Sequence, residues 1–479
     1  MKYETIIGLE VHVELATNTK IFCSCSAHSF GAAPNTHVCP VCLGMPGVLP
    51  KLNKKVVDYA IKAGSMLGCH INRKSAFDRK SYFYPDLPNA YQITQYFSPI
   101  ATNGAVEIET AFGKKQVRIQ QIHMEEDAGK LIHDIKEGLT HIDFNRAGVP
   151  LLEIVSCPDL RTADEVEAYL ERLKTLLRYA RIAECEMAHG TMRCDVNLSV
   201  RPAGSQTFGV RTEMKNMNSI EAIKRAIAFE TARHINVLET GGEIFQETRR
   251  FDEATGKTVS MRSKETAGDY RYSPDPNLMP LVLDEEWVQN VQATLPEFPE
   301  VKRERYMREY GLSFYDAEQL TKSISLCECF EDAVLLCKSP KDAVNWITGE
   351  IMSLLNAKKM TYDMLTLNGK KLGELIKLVM DGKVGRANAK IILNALFEDA
   401  TADPSAYARE NGFLISNDTE KISTVVRTVV DADAKSVADY KNGKEKALMF
   451  LFGKCMKELK GNCNPQLLHK TLCDYIAKI

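Results

Sequence analysis

Residues 8–15 read Gly8-Leu9-Glu10-Val11-His12-Val13-Glu14-Leu15, and their alternation decides the architecture. Leu9, Val11, Val13 and Leu15 fall on one side of an extended chain, and Glu10, His12 and Glu14 on the other. Alone, this describes a strand with one wet face. The pattern gains meaning because it recurs. Ile122-His123-Met124-Glu125-Glu126-Asp127 puts His123 and Glu125 on one face and Glu126 on the other. Asp195, Asn197, Ser199 and Arg201 alternate with Cys194, Val196, Leu198 and Val200. Arg211, Glu213 and Lys215 alternate with Val210, Thr212 and Met214. Several such strands make a charged floor. Adjacent carboxylates repel unless a cation relieves them, and magnesium is the cation that takes hard oxygen donors.

The chain has 479 residues, more than one ordinary core accommodates, so two or three domains are expected. With 44% hydrophobic and 26% charged residues the composition is that of a soluble globular protein. No apolar run is long enough to span a membrane, and because Met1-Lys2-Tyr3-Glu4 reads as leading straight into a strand, no signal peptide is expected. Fourteen cysteines in so long a chain point to a reducing cytoplasm rather than a secreted disulfide framework. The net charge of −2 leaves any nucleic-acid contact to local patches.

Cys23-Ser-Cys25 and Cys39-Pro-Val-Cys42 are joined by a loop holding Gly31, Pro34 and Asn35. Two close thiol pairs give four-thiolate zinc spacing with no open position, hence a staple rather than a catalyst. Cys327, Cys329 and Cys337 read as buried thiols. Residues 73–96 interleave Arg73, Lys74, Arg79 and Lys80 with Phe77, Tyr82, Phe83, Tyr84 and Tyr91, and Pro85 and Pro88 exclude a helix. Such a stretch either receives a single-stranded nucleic-acid end or completes a core with its aromatics. After Asn145-Arg146-Ala147-Gly148-Val149-Pro150 comes the apolar Leu151-Leu152-Glu153-Ile154-Val155. Thr162 and Glu165 predict a capping box. Ser219 predicts the start of a helix running to about Leu238. The stretch from Asp269 to Asp275 adds a cation, aromatic and acid cluster.

Leu295-Pro296-Glu297-Phe298-Pro299 reads as a linker, and helical patterns follow it, including 343–355 and 372–379. A loop-like passage over 400–418 sets off a last module. Residues 441–470 hold seven lysines, Lys460 among them, against two glutamates, a balance suited to a phosphate backbone or to a solvated helix face. There is no P-loop, no dinucleotide fingerprint after a strand and no Gly-rich serine stretch of an amidase nucleophile. ATP, if handled, is held by metal, carboxylates and Lys or Arg.

IIGLEVHVEL, CSCS…HVCPVCLGMPG, KSYFYPDLP, HMEEDAGK, FNRAGVPLLEIVS, MRCDVNLSVR, EMKNMNS, QETRRFD, DYRYSP, KNGKEKALMFLFGK and NPQLLHK span the whole chain. Together they resemble the B-subunit family of the tRNA-dependent amidotransferases. The resemblance implies an α+β cradle domain with a largely antiparallel sheet flanked by helices (residues 1–293), a helical domain (294–405) and a C-terminal tRNA-binding tail (406–479). It implies ATP- and magnesium-dependent phosphorylation of the side-chain carboxylate of Glu-tRNA(Gln) or Asp-tRNA(Asn), followed by transfer of ammonia. Two partners follow from it: a separate amidase, which frees the ammonia from glutamine, and a small third subunit, which ties the complex together.

By motif position Glu10, His12, Glu125 and Glu126, joined by Asp195 and Glu213, form the metal and phosphoryl-transfer group in that reading. Glu10, His12 and Glu125 are the magnesium ligands, and Lys80, Arg201 and Lys215 neutralise phosphate or substrate carboxylate. Cys23, Cys25, Cys39 and Cys42 match the zinc site. Lys441, Lys444, Lys446, Lys454 and Lys457 lie in the tail that meets tRNA. Cys157, Ser273, Asn89-Ala90 and Met449 depart from the family pattern, none of them in the metal group. The competing reading is a zinc-stapled tRNA-docking subunit that does no chemistry. A metal-dependent phosphohydrolase would also explain the acidic floor, though not the basic tail.

Overall fold

The computed structural model describes residues 2–134, 136, 138–263, 270–399, 401–415, 419–459, 461 and 463–479. Asp269, Lys460 and positions 400 and 416–418 of the loop-like passage lie outside the described residues. The chain forms two compact units, Met1–Glu297 and Phe298–Ile479.

The first unit is α+β. Its strands are β1 (Tyr3–Glu14), β2 (His70–Ile71), β3 (Lys74–Ser75), β4 (Asp78–Ser81), β5 (Tyr91–Thr94), β6 (Ala101–Thr110), β7 (Gly113–Glu126), β8 (Lys130–Asp134), β9 (Leu139–Asp143), β10 (Pro150–Ser156), β11 (Met192–Pro202), β12 (Thr212–Lys215), β13 (Glu247–Asp252), β14 (Lys257–Ser263), β15 (Ser273–Pro274) and β16 (Leu281–Val282). A nine-stranded sheet runs in the order β14-β13-β12-β11-β1-β10-β7-β6-β2. Every pair in it is antiparallel except β12 with β13. The 8–15 stretch therefore lies in the centre of the sheet, which is why its period is so strict: both neighbours fix which face each side chain takes.

One face of the sheet is dry. Leu9, Val11, Val13, Ile122, Met124, Leu152, Ile154, Val196 and Leu198 are buried there. Helix α1 (Lys54–Met66) packs on β6 and β7, α2 (Ala163–Tyr179) on β6, and α3 (Ile220–Glu239) on β11 and β14. Burying each such aliphatic side chain contributes roughly 1.5–3 kcal/mol relative to exposure, which lets the opposite face carry charge. Asn53, Thr162 and Ser219 cap the three helices as their side-chain oxygens accept from the first turn. The predicted capping box at α2 closes one residue further back than expected. Glu165 Oε2 accepts from the backbone N–H of Arg161 (2.7 Å), not from that of Thr162, and also binds Lys115.

The second unit is helical. The 343–355 segment falls in Pro340–Asn345, a π-helical turn over Trp346–Ile351 and Met352–Ala357; the 372–379 segment falls in Gly369–Met380. Gly369 and Gly373 let that last helix meet Ile324–Cys337 closely. A Cβ on Gly369 would lie 2.5 Å from the Cys329 carbonyl, and one on Gly373 2.6 Å from that of Ala333. Cys327, Cys329 and Cys337 are buried. The loop-like passage over 400–418 is corrected in part: Pro404–Glu410 is a helix, with Asp403 accepting from Ala406 N (2.6 Å) and proline at its first position. Residues 422–476 form a core of their own around Val426, Leu451, Leu468 and Leu472.

Candidate active site

The charged side chains named from the sequence meet on the sheet face opposite α1–α3, and the register explains how. Directly paired residues point to the same face. Glu10 on β1 pairs with Asp195 on β11, His12 with Glu153 on β10, Glu153 with His123 on β7, and Asn197 with Glu213 on β12. Five adjacent strands thus put their acids and imidazoles on one floor.

The floor holds two groups whose ligand atoms all lie within 4.8 Å of one another: His12, Glu125 and Glu153, and Glu10, Asp195 and Glu213. The three residues expected to hold magnesium are divided between them, His12 and Glu125 in one and Glu10 in the other. In the first group His12 Nε2 is 3.5 Å from Glu125 Oε1 and 3.5 Å from Glu153 Oε2, and His123 Nε2 is 3.2 Å from that Oε2. Thr94 Oγ1 on β5 lies 3.0 Å from His123 Nδ1 and donates to Glu125 Oε2 (3.3 Å). In the second, Asn197 Nδ2 donates to Glu10 Oε1 (2.8 Å), and Thr248 Oγ1 to Glu213 Oε2 (3.0 Å). Lys215 Nζ contacts Asp195 Oδ2 and stands 3.2 Å from Glu213 Oε1.

The electrostatics follow from crowding charge onto a half-dry surface. Burial, then the neighbouring carboxylates Glu153 and Glu213, push the Glu10 carboxyl up; burial and Glu153 do the same to Glu125. Burial works against charge on His12, but Glu153 and Glu125 outweigh it and lift the imidazole to about 9. Glu153 goes the other way, since His123 and His12 overcome its burial and hold it well below the usual carboxylate range. Two carboxylates thus remain undercompensated by the chain's own cations. Asn197 Oδ1, beside Glu10, is buried without a hydrogen-bond partner. An all-oxygen set with an idle carbonyl acceptor is donor chemistry that suits a hard divalent cation, so Glu10, Asp195 and Glu213 could hold magnesium, with Lys215 already answering part of their charge. The imidazole makes the first group less selective for it.

Lys80 on β4 stands beside the first group. Burial disfavours its charge, but Glu125 and Glu153 nearby raise its pKa, and its Nζ lies 4.9 Å from the Tyr270 ring centroid. Two other residues named from the sequence lie elsewhere. Glu126, next in the chain to Glu125, points to the opposite face, where its Oε1 accepts from Ile93 N (3.0 Å); burial pushes it up to about 8. Arg201 pairs with Glu4 (2.8 Å) and lies 5.5 Å from the centroid of Phe208. Glu153, His123, Thr94 and Asn197 are the members that the sequence reading left out of the metal and phosphoryl-transfer group. The signal for Glu153 was present: one charge inside Leu151-Leu152-Glu153-Ile154-Val155 has to have a partner.

Away from the floor, Cys23, Cys25, Cys39 and Cys42 gather their sulfurs within 4.8 Å of one another, with Cys39 and Cys42 3.9 Å apart. Thiolates about 2.3 Å from a tetrahedral ion stand roughly 3.8 Å from one another, so the cluster could hold zinc. The buried Lys20 Nζ lies 3.5 Å from Cys42 Sγ. In the second unit Lys441, Lys444, Lys446, Lys454 and Lys457 are all exposed.

Residues 5–289 match the model of the GatB/GatE catalytic domain, and residues 328–476 match that of the GatB domain. The chain belongs to the GatB family. Among its relatives are proteins named as the B subunits of aspartyl/glutamyl-tRNA(Asn/Gln) amidotransferases. Those of Carboxydothermus hydrogenoformans and Caldicellulosiruptor saccharolyticus are each 49% identical, over all of this chain and all of theirs. That of Lachnoclostridium phytofermentans is 48% identical over 99% of both chains. Both acidic groups and the cysteine cluster fall inside the span matched to the GatB/GatE catalytic domain.

Proposed function

We propose that this chain is the kinase and transamidase subunit of a glutamine-dependent amidotransferase acting on Glu-tRNA(Gln), Asp-tRNA(Asn) or both. The observation that carries the reading is the pair of adjoining acidic groups on the sheet floor, flanked by Lys80 and Lys215. A carboxylate is a poor acceptor of ammonia because its leaving group would be oxide. In the proposed sequence an oxygen of the substrate carboxylate attacks the γ-phosphorus of ATP, and ADP leaves. Ammonia then attacks the carbonyl carbon, and inorganic phosphate leaves as the amide forms. Such a reaction asks chiefly for positioning and charge neutralisation.

Each residue has a task in this scheme. Glu10, Asp195 and Glu213 would hold one divalent ion, and Glu125, Glu153 and His12 a second or the same ion in a shifted position. Ions held there neutralise phosphate oxygens. Lys80 neutralises the substrate carboxylate or the transferred phosphoryl group, and Lys215 holds the second acidic group in place. His123, fixed by Thr94, orients Glu153. The partners are an amidase that frees ammonia from glutamine, a small third subunit, and tRNA met by the lysines of the tail; zinc at the four cysteines staples the cradle.

The test is phosphate release from ATP by the complex reconstituted with its amidase and its small third subunit. Misacylated Glu-tRNA(Gln) and Asp-tRNA(Asn) are compared with uncharged tRNA, and wild type with Glu125→Ala. Release that needs a misacylated tRNA and disappears in the variant is expected. Release that survives Glu125→Ala overturns the assignment and leaves a docking subunit.

A further inference from the structure

Lys20 is 0% exposed, and no carboxylate among the described residues forms an ion pair with it. A lysine is almost never buried so completely without a partner, because its ammonium loses hydration that an opposite charge has to replace. The other buried lysine of the described residues, Lys302, keeps that rule, with its Nζ 2.9 Å from Glu331 Oε1. Lys20 points at sulfur instead. Its Nζ donates to Cys42 Sγ (3.5 Å) and to the Phe144 carbonyl (3.3 Å). Glu126 lines the same small cavity, but its Oε1 accepts from the backbone N–H of Ile93.

Cys42 Sγ is where donors converge. The backbone N–H of Cys39 also points at it (3.1 Å). A neutral thiol is a weak acceptor, so a sulfur that faces both an ammonium and an N–H is placed to act as a thiolate. Four thiolates around one divalent ion leave a surplus of negative charge, which a buried cation answers. The backbone fixes Lys20 for this contact: its own N–H donates to the Cys25 carbonyl (3.0 Å), and that of Ile21 to the Gly148 carbonyl (2.9 Å).

We infer that Lys20 is the built-in counter-ion of the metal–thiolate cluster and the strut that ties it to the turn before β10. The inference rests on the zinc reading of the four cysteines and names the group that completes it. The turn covers residues 144–149. Asn145, 1% exposed, accepts from the His37 N–H (2.8 Å) and donates to the Ala33 carbonyl (2.7 Å), so it holds the loop between the two cysteine pairs. On its other side the Gly148 N–H donates to the Asp127 carbonyl and the Asp127 N–H to that of Val149, each 2.9 Å. The carbonyl that Lys20 holds therefore opens a turn bonded both to the cysteine loop and to the residue that follows β7. From this corner β10 carries Glu153 onto the floor beside Glu125. Lys20 meets no substrate there; it is a positioning residue.

The full chain, stripped of metal, is titrated with zinc against a chromophoric chelator and with cobalt(II), whose thiolate-to-metal absorption reports on the sulfurs. Lys20→Met keeps the stem and removes the charge. Its zinc affinity is expected to fall about 10- to 100-fold, the scale for losing a partner of a metal ligand. Its cobalt band is expected at longer wavelength, since the thiolate loses a stabilising charge. A role in packing alone predicts otherwise: an apolar isostere of a buried charge is neutral or stabilising and leaves the metal untouched. Zinc affinity within about two-fold of wild type, with an unmoved cobalt band, overturns the inference. Lys20→Gln keeps an N–H donor without the charge; it is expected to fall between the two and gives the same readout should the methionine variant fail to fold. Wild type that takes up neither zinc nor cobalt removes the zinc reading and the inference with it, whereas unchanged binding in the variants strikes the role of Lys20 alone.

Discussion

Glu153 on β10 lies between two imidazoles, with its Oε2 3.5 Å from His12 Nε2 on β1 and 3.2 Å from His123 Nε2 on β7. The contact is a consequence of register, since His12, Glu153 and His123 are directly opposed across three adjacent strands. One carboxylate held by two rings is a rigid, ionised acceptor at the centre of the floor, and Glu125 shares one of those rings.

Replacing that carboxylate by its neutral isostere is therefore expected to be costly for chemistry and mild for folding. Glu153→Gln keeps the volume and loses the charge. Phosphate release supported by misacylated tRNA should fall by roughly 10²–10³ in kcat, the scale for losing one preorganised electrostatic group, with tRNA affinity unchanged. A kcat within a few-fold of wild type would mean that Glu153 only packs the sheet.

Much of the floor was legible in the sequence because strand alternation is a local signal. Glu10, His12, Glu125, Asp195 and Glu213 all sit on the face that period 2 assigns them. The division of these residues into two groups was not legible, since which strand neighbours which, and in what register, depends on the whole sheet. Glu153 was hidden for another reason: its neighbours are aliphatic, so its strand reads as core rather than as an alternating surface. Arg201 shares the alternation of Asp195 but lies six residues along β11, where the neighbour across is Glu4 of β1. The helix after Asp403 is seven residues long, too short for its apolar period to stand out against the polar passage around it.

The four cysteines predict a composition. Purified without chelator, the chain should carry about one zinc, the number a single four-thiolate site takes. Cys42→Ser should reduce this to none, as measured by elemental analysis, and lower the melting temperature of the first unit. Zinc-free wild type would reduce the cluster to four adjacent thiols.

Glu230 on α3 supplies a pH dependence unrelated to the site. Its buried carboxylate accepts from Arg233 Nε (2.8 Å) and Thr258 Oγ1 (2.7 Å), and His234 Nε2 stands 3.3 Å away. Burial opposes the charge, but His234, Arg233 and Thr258 outweigh it and hold the group at about 2. The folded state thus keeps this carboxylate ionised where the unfolded chain would protonate it. Its contribution is complete above about pH 4.5 and is lost as the pH falls toward 2, by at most about 1.4 kcal/mol per pH unit. Denaturant melts of wild type and Glu230→Gln should differ most near neutrality and converge on acidification. A gap that stays constant from pH 6 to pH 3 would show that the cost of the variant is steric.

The tail makes a separable prediction about salt. Lys444 bonds Asp439 (2.9 Å) and Lys454 bonds Asp433 (2.8 Å), so part of their charge is already answered within the protein. Lys441, Lys446 and Lys457 are exposed and stand in no such pair among the described contacts. If the tail meets a tRNA backbone, the triple variant Lys441→Ala, Lys446→Ala, Lys457→Ala should weaken tRNA binding without altering kcat. It should also flatten the dependence of log affinity on log salt by about 2 to 3, since each duplex phosphate contact contributes roughly 0.9. Lys444→Ala with Lys454→Ala should flatten it less. An unchanged salt slope in the triple variant would assign these lysines to solvent and move the tRNA contact elsewhere.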